Sequence, residues 1–214
     1  MDFTLIPVTP FAQNCTLVWC SQTRQGALID PGGEPDKLLA KAQELGVTIS
    51  AIWLTHGHLD HVGATGELKN RLGVPVIGPH KDDDFWLSRL EDQARMFGFP
   101  EPVPFSPDRY LEQGDILTLG EETFEVLHCP GHTPGHVVLF NPKAQWAQVG
   151  DVLFKGSIGR TDFPMGNHQQ LLDAIRHRLF PLGDQVRFVP GHGPMSTLGE
   201  ERRSNPFVAD HRFG

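Results

Sequence analysis

The chain has 214 residues, 39% hydrophobic and 21% charged, the balance of an ordinary globular protein able to bury roughly 70–75% of its unfolded surface. Its formal net charge of -8 argues against nucleic acid or an anionic membrane as the main partner. No apolar stretch approaches the roughly 20 residues of a membrane span, and residues 1–10 lack the basic segment and apolar core of a secretory signal.

The expectation is one cytoplasmic domain spanning 1–214. Cys15, Cys20 and Cys129 are odd in number and lack Cys-x-x-Cys spacing, so they read as reduced thiols. Short apolar runs at 3–7, 16–20 and 27–30 predict strands, the third ending in the turn-forming Pro31-Gly32-Gly33. Residues 35–46 carry Leu38, Leu39, Ala42 and Leu45 on one helical stripe that Gly46 ends. A strand at 51–54, a helix at 63–72 and a strand at 74–77 follow, an alternation that suits helices packed outside sheets. Residues 80–110 break the rhythm with Lys-Asp-Asp-Asp, a helical run at 85–97 and a Pro-rich tail. They read as a surface insertion, either a lid or a passive excursion.

From Leu111 onward the chain turns β-rich, with strands expected at 116–119, 123–127, 137–140, 145–149 and 187–189 and helices at 167–179 and 196–203.

The chemistry is concentrated at Thr55-His56-Gly57-His58-Leu59-Asp60-His61. Imidazole and carboxylate suit zinc, iron and manganese. On an extended segment His56 and His58 point to one side and can share an ion, while the consecutive Asp60 and His61 suit a turn beside a second one. Three later segments repeat one form, an apolar strand followed by a polar, glycine-containing turn. These end at Pro130 to His136, at Gly150-Asp151 and at Gly191-His192-Gly193. Strand-end turns are where a rigid scaffold aims side chains into a common cleft.

These five ordered motifs, with Asp30-Pro31-Gly32-Gly33 the first, resemble the metallo-β-lactamase-fold hydrolases, and within them the glyoxalase II type of hydroxyacylglutathione hydrolase. The resemblance implies an α+β, four-layer αββα sandwich with the metals at one edge between the sheets. Carried over residue by residue, it implies one divalent ion on His56, His58 and His132 and a second on Asp60, His61 and His192, with Asp151 bridging. Zinc is the expected metal, and the same donors accept iron or manganese. Asp60 and Asp151 are expected to serve catalysis as well as binding, and Asp30 to support the metal loop. The expected substrate is S-D-lactoylglutathione, cleaved to D-lactate and glutathione in methylglyoxal detoxification. The chain ends soon after His192, so the C-terminal helical domain of the longer enzymes is expected to be missing. Arg160, in the Gly-Arg-Thr-Asp segment, is the candidate for a glutathione carboxylate, against a role in holding its own loop through Asp162. Arg202 and Arg203 read as a solvated helix face.

His128 and His136 are expected to hydrogen-bond or pack behind the ligands. His80, His168, His177 and His211 have no ligand context. A persulfide dioxygenase of the same fold is the alternative, with a single iron on His56, His132 and Asp151. A closed structural metal site is disfavoured because such sites are Cys-rich and four-coordinate.

Overall fold

In the computed structural model, which describes residues 1–213, the first half of the chain builds a five-stranded sheet. Its order is β1 (Asp2–Val8), β2 (Gln13–Trp19), β3 (Gln25–Ile29), β4 (Thr48–Trp53) and β5 (Val76–Ile77). The first three strands pair antiparallel, and the last three pair parallel because helices return the chain to the starting end. Helix α1 (Pro35–Glu44) makes the first return, and α2 (Leu59–Val62) with α3 (Thr65–Leu72) the second. The insertion contributes α4 (Asp84–Leu87) and α5 (Leu90–Phe97).

The second half supplies β6 (Ile116–Leu119), β7 (Glu122–His128), β8 (Val137–Asn141), β9 (Trp146–Gly150), the hairpin β10 (Leu153–Phe154) and β11 (Ser157–Ile158), α6 (His168–Ala174), β12 (Arg187–Pro190), β13 (Ser196–Thr197) and α7 (Leu198–Ser204). Six of its strands form a sheet in the order β13-β12-β9-β8-β7-β6, with only the β12–β9 pair parallel.

Three separate apolar layers make this a four-layer αββα sandwich. Leu17, Leu28 and Ile52 on one face of the first sheet meet Leu38 and Ala42 of α1 and Leu68 of α3. The opposite face presents Val18, Ile29 and Trp53 to Phe124, Leu139 and Trp146 of the second sheet. That sheet turns Phe140, Val149 and Phe188 outward to Leu171 of α6 and Leu198 of α7. Strands buried on both faces read as short continuous apolar runs, which is why they were visible in the sequence.

Several boundaries differ from expectation. The helix expected at 63–72 starts at Leu59, pauses at Gly63-Ala64 and resumes at Thr65. The run at 85–97 is two helices broken at Ser88-Arg89. The helix expected at 167–179 ends as a regular helix at Ala174 and widens into a π-helical turn over Ile175–Leu179. Ser196–Thr197 is a strand, because the Thr197 side chain caps α7 by accepting from the Glu200 N–H. The insertion is no passive excursion. Leu90 and Ala94 join the first apolar layer, and Gln93 accepts from the Leu59 N–H at 2.9 Å, directly behind the His-rich loop. Among the described residues no helix is long and apolar enough to cross a membrane. All three cysteines are buried and unpaired.

Candidate metal centre

Parallel pairing of β3 with β4 and of β9 with β12 brings four strand ends to one edge of the sandwich. Asp30 follows β3, the His-rich loop follows β4, Asp151 follows β9 and His192 follows β12, while His132 comes from the loop after β7. Asn14 ties the two sheets together there. Its N–H donates to the Gly191 carbonyl at 2.7 Å, and its side chain donates to the carbonyls of Pro190 and Gly193.

All seven residues expected to hold metal converge on this edge, in two groups. The nitrogens of His56, His58 and His132 lie within 4.8 Å of one another, and so do donor atoms of Asp60, His61 and His192. Asp151 stands between the groups. One of its oxygens is 3.3 Å from His61 Nε2, and the other is 3.6 Å from His132 Nε2 and 3.8 Å from His192 Nε2. Asp60 lies 3.1 Å from His192 Nε2 and 3.7 Å from His61 Nε2.

The outward nitrogens show which atoms are available. The Arg160 carbonyl can only accept, so His132 Nδ1 donates to it at 2.8 Å and Nε2 keeps its lone pair. The Phe11 carbonyl does the same for His192 at 3.0 Å. Asp30 serves two ligands at once. It accepts from His61 Nδ1 at 2.9 Å and from the Thr55 hydroxyl at 2.6 Å, which leaves that hydroxyl oxygen to accept from His56 Nδ1 at 3.0 Å. Asp30 is thereby spent on orientation, as the resemblance implied. His58 lacks such an anchor and is wedged edge-on between Trp86 at 4.5 Å and Phe163 at 5.0 Å.

These residues fit a pair of divalent cations. His56 Nε2, His61 Nε2 and Asp151 Oδ1 are buried with no hydrogen-bond partner, a costly arrangement unless something binds them. His58 Nε2 is likewise buried without a partner, and its Nδ1 lies 2.9 Å from His132 Nε2, the nitrogen that keeps a lone pair because Nδ1 donates to Arg160. Burial and the neighbouring imidazoles hold His56 and His58 well below the usual histidine range, and burial also lowers His132, so these three imidazoles are neutral at pH 7 and free to offer a lone pair. Burial opposes charge on His61 too, but Asp151 and Asp60 outweigh it and raise that group. Asp151 is held well below the carboxylate range because His61, His132 and His192 overcome the cost of its burial.

His136 stacks on His56 at 4.6 Å and accepts from the Asp151 N–H at 3.1 Å, so it positions ligands without joining them. His128 stacks on His80 at 4.2 Å, away from the centre, and its Nε2 donates to the Pro134 carbonyl. Those two rings are nearly parallel, at 15°, so their lone pairs do not converge on a common ion with Asp82.

Asp83 is the residue sequence reasoning missed. It is buried, and accepts from the Gly57 N–H at 2.7 Å, the Thr133 hydroxyl at 2.8 Å and the Gly135 N–H at 2.5 Å. It thus ties the loop of His56 and His58 to the loop of His132. Burial pushes its carboxyl up to about 6 despite those three donors.

The centre opens into a cleft of about 850 Å³ whose lining includes His58, Asp60, His132, Asp151, His192 and Arg160. The Arg160 guanidinium, on the cleft wall, is paired through two 2.9 Å bonds with Asp162 and lies over the Phe163 ring. Arg202 pairs with Asp210 and Arg203 with Glu200 on the solvent side of α7. Arg89, also on the cleft, stacks on Phe85 at 3.9 Å and forms no ion pair among the described residues.

A family model described as the Metallo-beta-lactamase superfamily matches residues 8–192. The chain is similar to a curated hydroxyacylglutathione hydrolase, GloC of Haemophilus influenzae, with 47% identity over 97% of this chain and 98% of that one. Among solved structures it resembles TTHA1623 in a di-iron-bound form, at 41% identity and TM-score 0.88 over 96% of this chain and 100% of the other. It also resembles BLEG-1, a B3 metallo-beta-lactamase, at 35% identity and TM-score 0.89 over 97% and 99%. ETHE1 from Myxococcus xanthus superposes with TM-score 0.81 at 29% identity, over 98% of this chain and 85% of that one.

Proposed function

This chain belongs to the metallo-beta-lactamase superfamily of metallo-hydrolases, and we propose that it is a dinuclear hydroxyacylglutathione hydrolase cleaving S-D-lactoylglutathione to D-lactate and glutathione. In that role it would act in the cytoplasm, completing the disposal of methylglyoxal. The observation that carries the reading is the pair of donor groups with Asp151 between them, together with 47% identity to GloC over nearly the whole chain.

Bound at these donors, a pair of divalent cations, zinc foremost, would supply a water acidic enough to attack at neutral pH and polarise the substrate carbonyl. Every other part of the task falls to the chain. Asp30, Thr55 and the carbonyls of Arg160 and Phe11 keep four imidazoles in the tautomer that binds. Asp60, on the cleft wall, is suited to take the proton of the attacking water. The departing thiol has an ordinary pKa of about 8.5, so it leaves as thiolate without a strong general acid. No serine or cysteine nucleophile is needed.

A second reading, a mononuclear-iron persulfide dioxygenase, draws on the likeness to ETHE1 and on a two-histidine, one-carboxylate set made of His56 and His132 from the first group with Asp151 beside it. It leaves the Asp60, His61 and His192 group without a purpose. Assaying one metal-analysed preparation against S-D-lactoylglutathione and glutathione persulfide separates the two. Thioester hydrolysis without oxygen uptake is the expected result, and oxygen uptake with persulfide alone would establish the dioxygenase.

A further inference from the structure

The wall of the cleft beside the first donor group is aromatic. Trp86 and Phe163 both stand edge-on to His58, Phe163 also meets His132 at 5.8 Å, and the two aromatics meet each other at 6.1 Å. The same lining continues through Met96 and Phe97 of α5, which remain 77% and 48% exposed. Large apolar side chains left open around one cleft mark a surface built for an apolar ligand. At about 850 Å³ the space far exceeds what a lactoyl group fills.

We infer that the acyl arm of the thioester lies along Trp86 and Phe163, and that the protein prefers an aromatic acyl group to lactoyl. The assignment rests on the thioester reading above. The reacting carbonyl has to lie against His58, His132 and Asp151, so one arm of the substrate necessarily runs along the aromatic pair. The glutathione arm carries two carboxylates and an ammonium, whereas the guanidinium at this wall, Arg160 over Phe163, is already held by Asp162 through two 2.9 Å bonds, so charged groups there would lose their hydration without a free counter-charge. That arm belongs instead at the solvent-facing rim, where Arg89 stands without an ion pair among the described residues. The acyl arm takes the remaining, apolar space. An aromatic ring there gains edge-to-face contacts as well as burial.

The test compares S-mandeloylglutathione with S-lactoylglutathione on the metal-loaded protein. The two differ by a phenyl in place of a methyl and share the hydroxyl and the leaving thiol, so their kcat/KM ratio reports the acyl wall. One methylene in an apolar pocket is worth about tenfold or more, so the mandeloyl ester should win by at least about tenfold. Phe163→Ala, at a half-buried loop position, should lower that ratio by at least about threefold. The same acyl pair on N-acetylcysteamine, which has neither carboxylate nor ammonium, should show the same preference. Hydrolysis of both glutathione esters at equal rates, or with lactoyl ahead, overturns the acyl assignment and leaves the hydrolase reading intact. Phe163→Ala with an undiminished ratio also overturns it. Inert glutathione esters beside a retained mandeloyl preference on N-acetylcysteamine would sink the glutathione reading and keep the acyl wall.

Discussion

Asp83 joins two ligand loops that approach each other from different sheets, and its three donors leave no room for an amide. In Asp83→Asn one carboxylate oxygen becomes an NH2 group facing N–H or O–H donors, so at least one bond to Gly57, Thr133 or Gly135 is lost. Removing such a supporting partner of a metal site costs about 10–100-fold in metal affinity. We expect that loss in a zinc competition titration, with an unchanged far-ultraviolet circular dichroism spectrum; unchanged affinity would show that the loops hold themselves. The ligands themselves were legible because histidines at such close spacing have few uses other than a metal. Asp83 was not, since it sits in Lys-Asp-Asp-Asp, a run that reads as solvated charge. Nothing local marks which of three acids turns inward. Arg160 was legible both as a residue of the cleft and as a partner for Asp162 two positions on, whereas its position over the Phe163 ring is visible only in three dimensions.

The loops between elements carry the site because glycine lets them pass where a side chain would stand. A Cβ on Gly191 would lie 2.0 Å from an Asp151 carboxylate oxygen and 2.6 Å from the His61 ring. A Cβ on Gly57 would lie 2.8 Å from that of Trp86. Gly191→Ala should therefore displace Asp151 and His61 while leaving the strands in place. Misplacement of reacting groups by about 1 Å can cost roughly 100-fold in rate, and we expect that loss in thioester hydrolysis. Bound metal should fall below two equivalents, and full retention of both would mean the loop has slack. Strands β2, β8 and β9 were legible as apolar runs because both their faces are covered, whereas β6 and β7 alternate buried and exposed residues. The hairpin of β10 and β11, just after Asp151, was not legible, because two-residue strands leave no pattern. The break at Ser88-Arg89 was hidden for a related reason, since the apolar stripe continues across it.

Across the described residues, five imidazoles are held below their ordinary range by burial: His56, His58, His128, His132 and His136. In the metal-free protein each binds its proton less readily than in the unfolded chain, whose histidines titrate near 6.5. Their contribution to stability is therefore fully present above about 6.5 and is lost as the pH falls. His61 and His192 are raised and act in the opposite sense, contributing below 6.5 and losing that as the pH rises through their folded values. Asp83, whose buried carboxyl is raised to about 6, also gains stability as the pH falls through that value. Five lowered imidazoles outweigh these three groups between pH 7.5 and 5.5. A net loss of a kcal/mol or two in a chain of this size lowers the melting temperature by about 5 °C. Calorimetry on the metal-free protein checks this, and a melting temperature that rises toward acid would contradict it. The four-layer architecture itself followed from resemblance to a family, not from periodicity. Which strands pair is decided by contacts between distant segments, such as Arg187 of β12 with Trp146 of β9.

The claim on which the functional account depends is that both donor groups work together. Adding zinc stepwise to metal-free protein while following S-D-lactoylglutathione hydrolysis tests it directly, run in parallel on His192→Ala and Asp151→Asn. His192→Ala removes one donor from the second group, whereas Asp151→Asn weakens both. Activity of the unaltered protein should rise until two equivalents are bound. His192→Ala should reach a lower plateau, and Asp151→Asn should be least active with the least metal. Full activity at one equivalent, unaffected by His192→Ala, would contradict the dinuclear account.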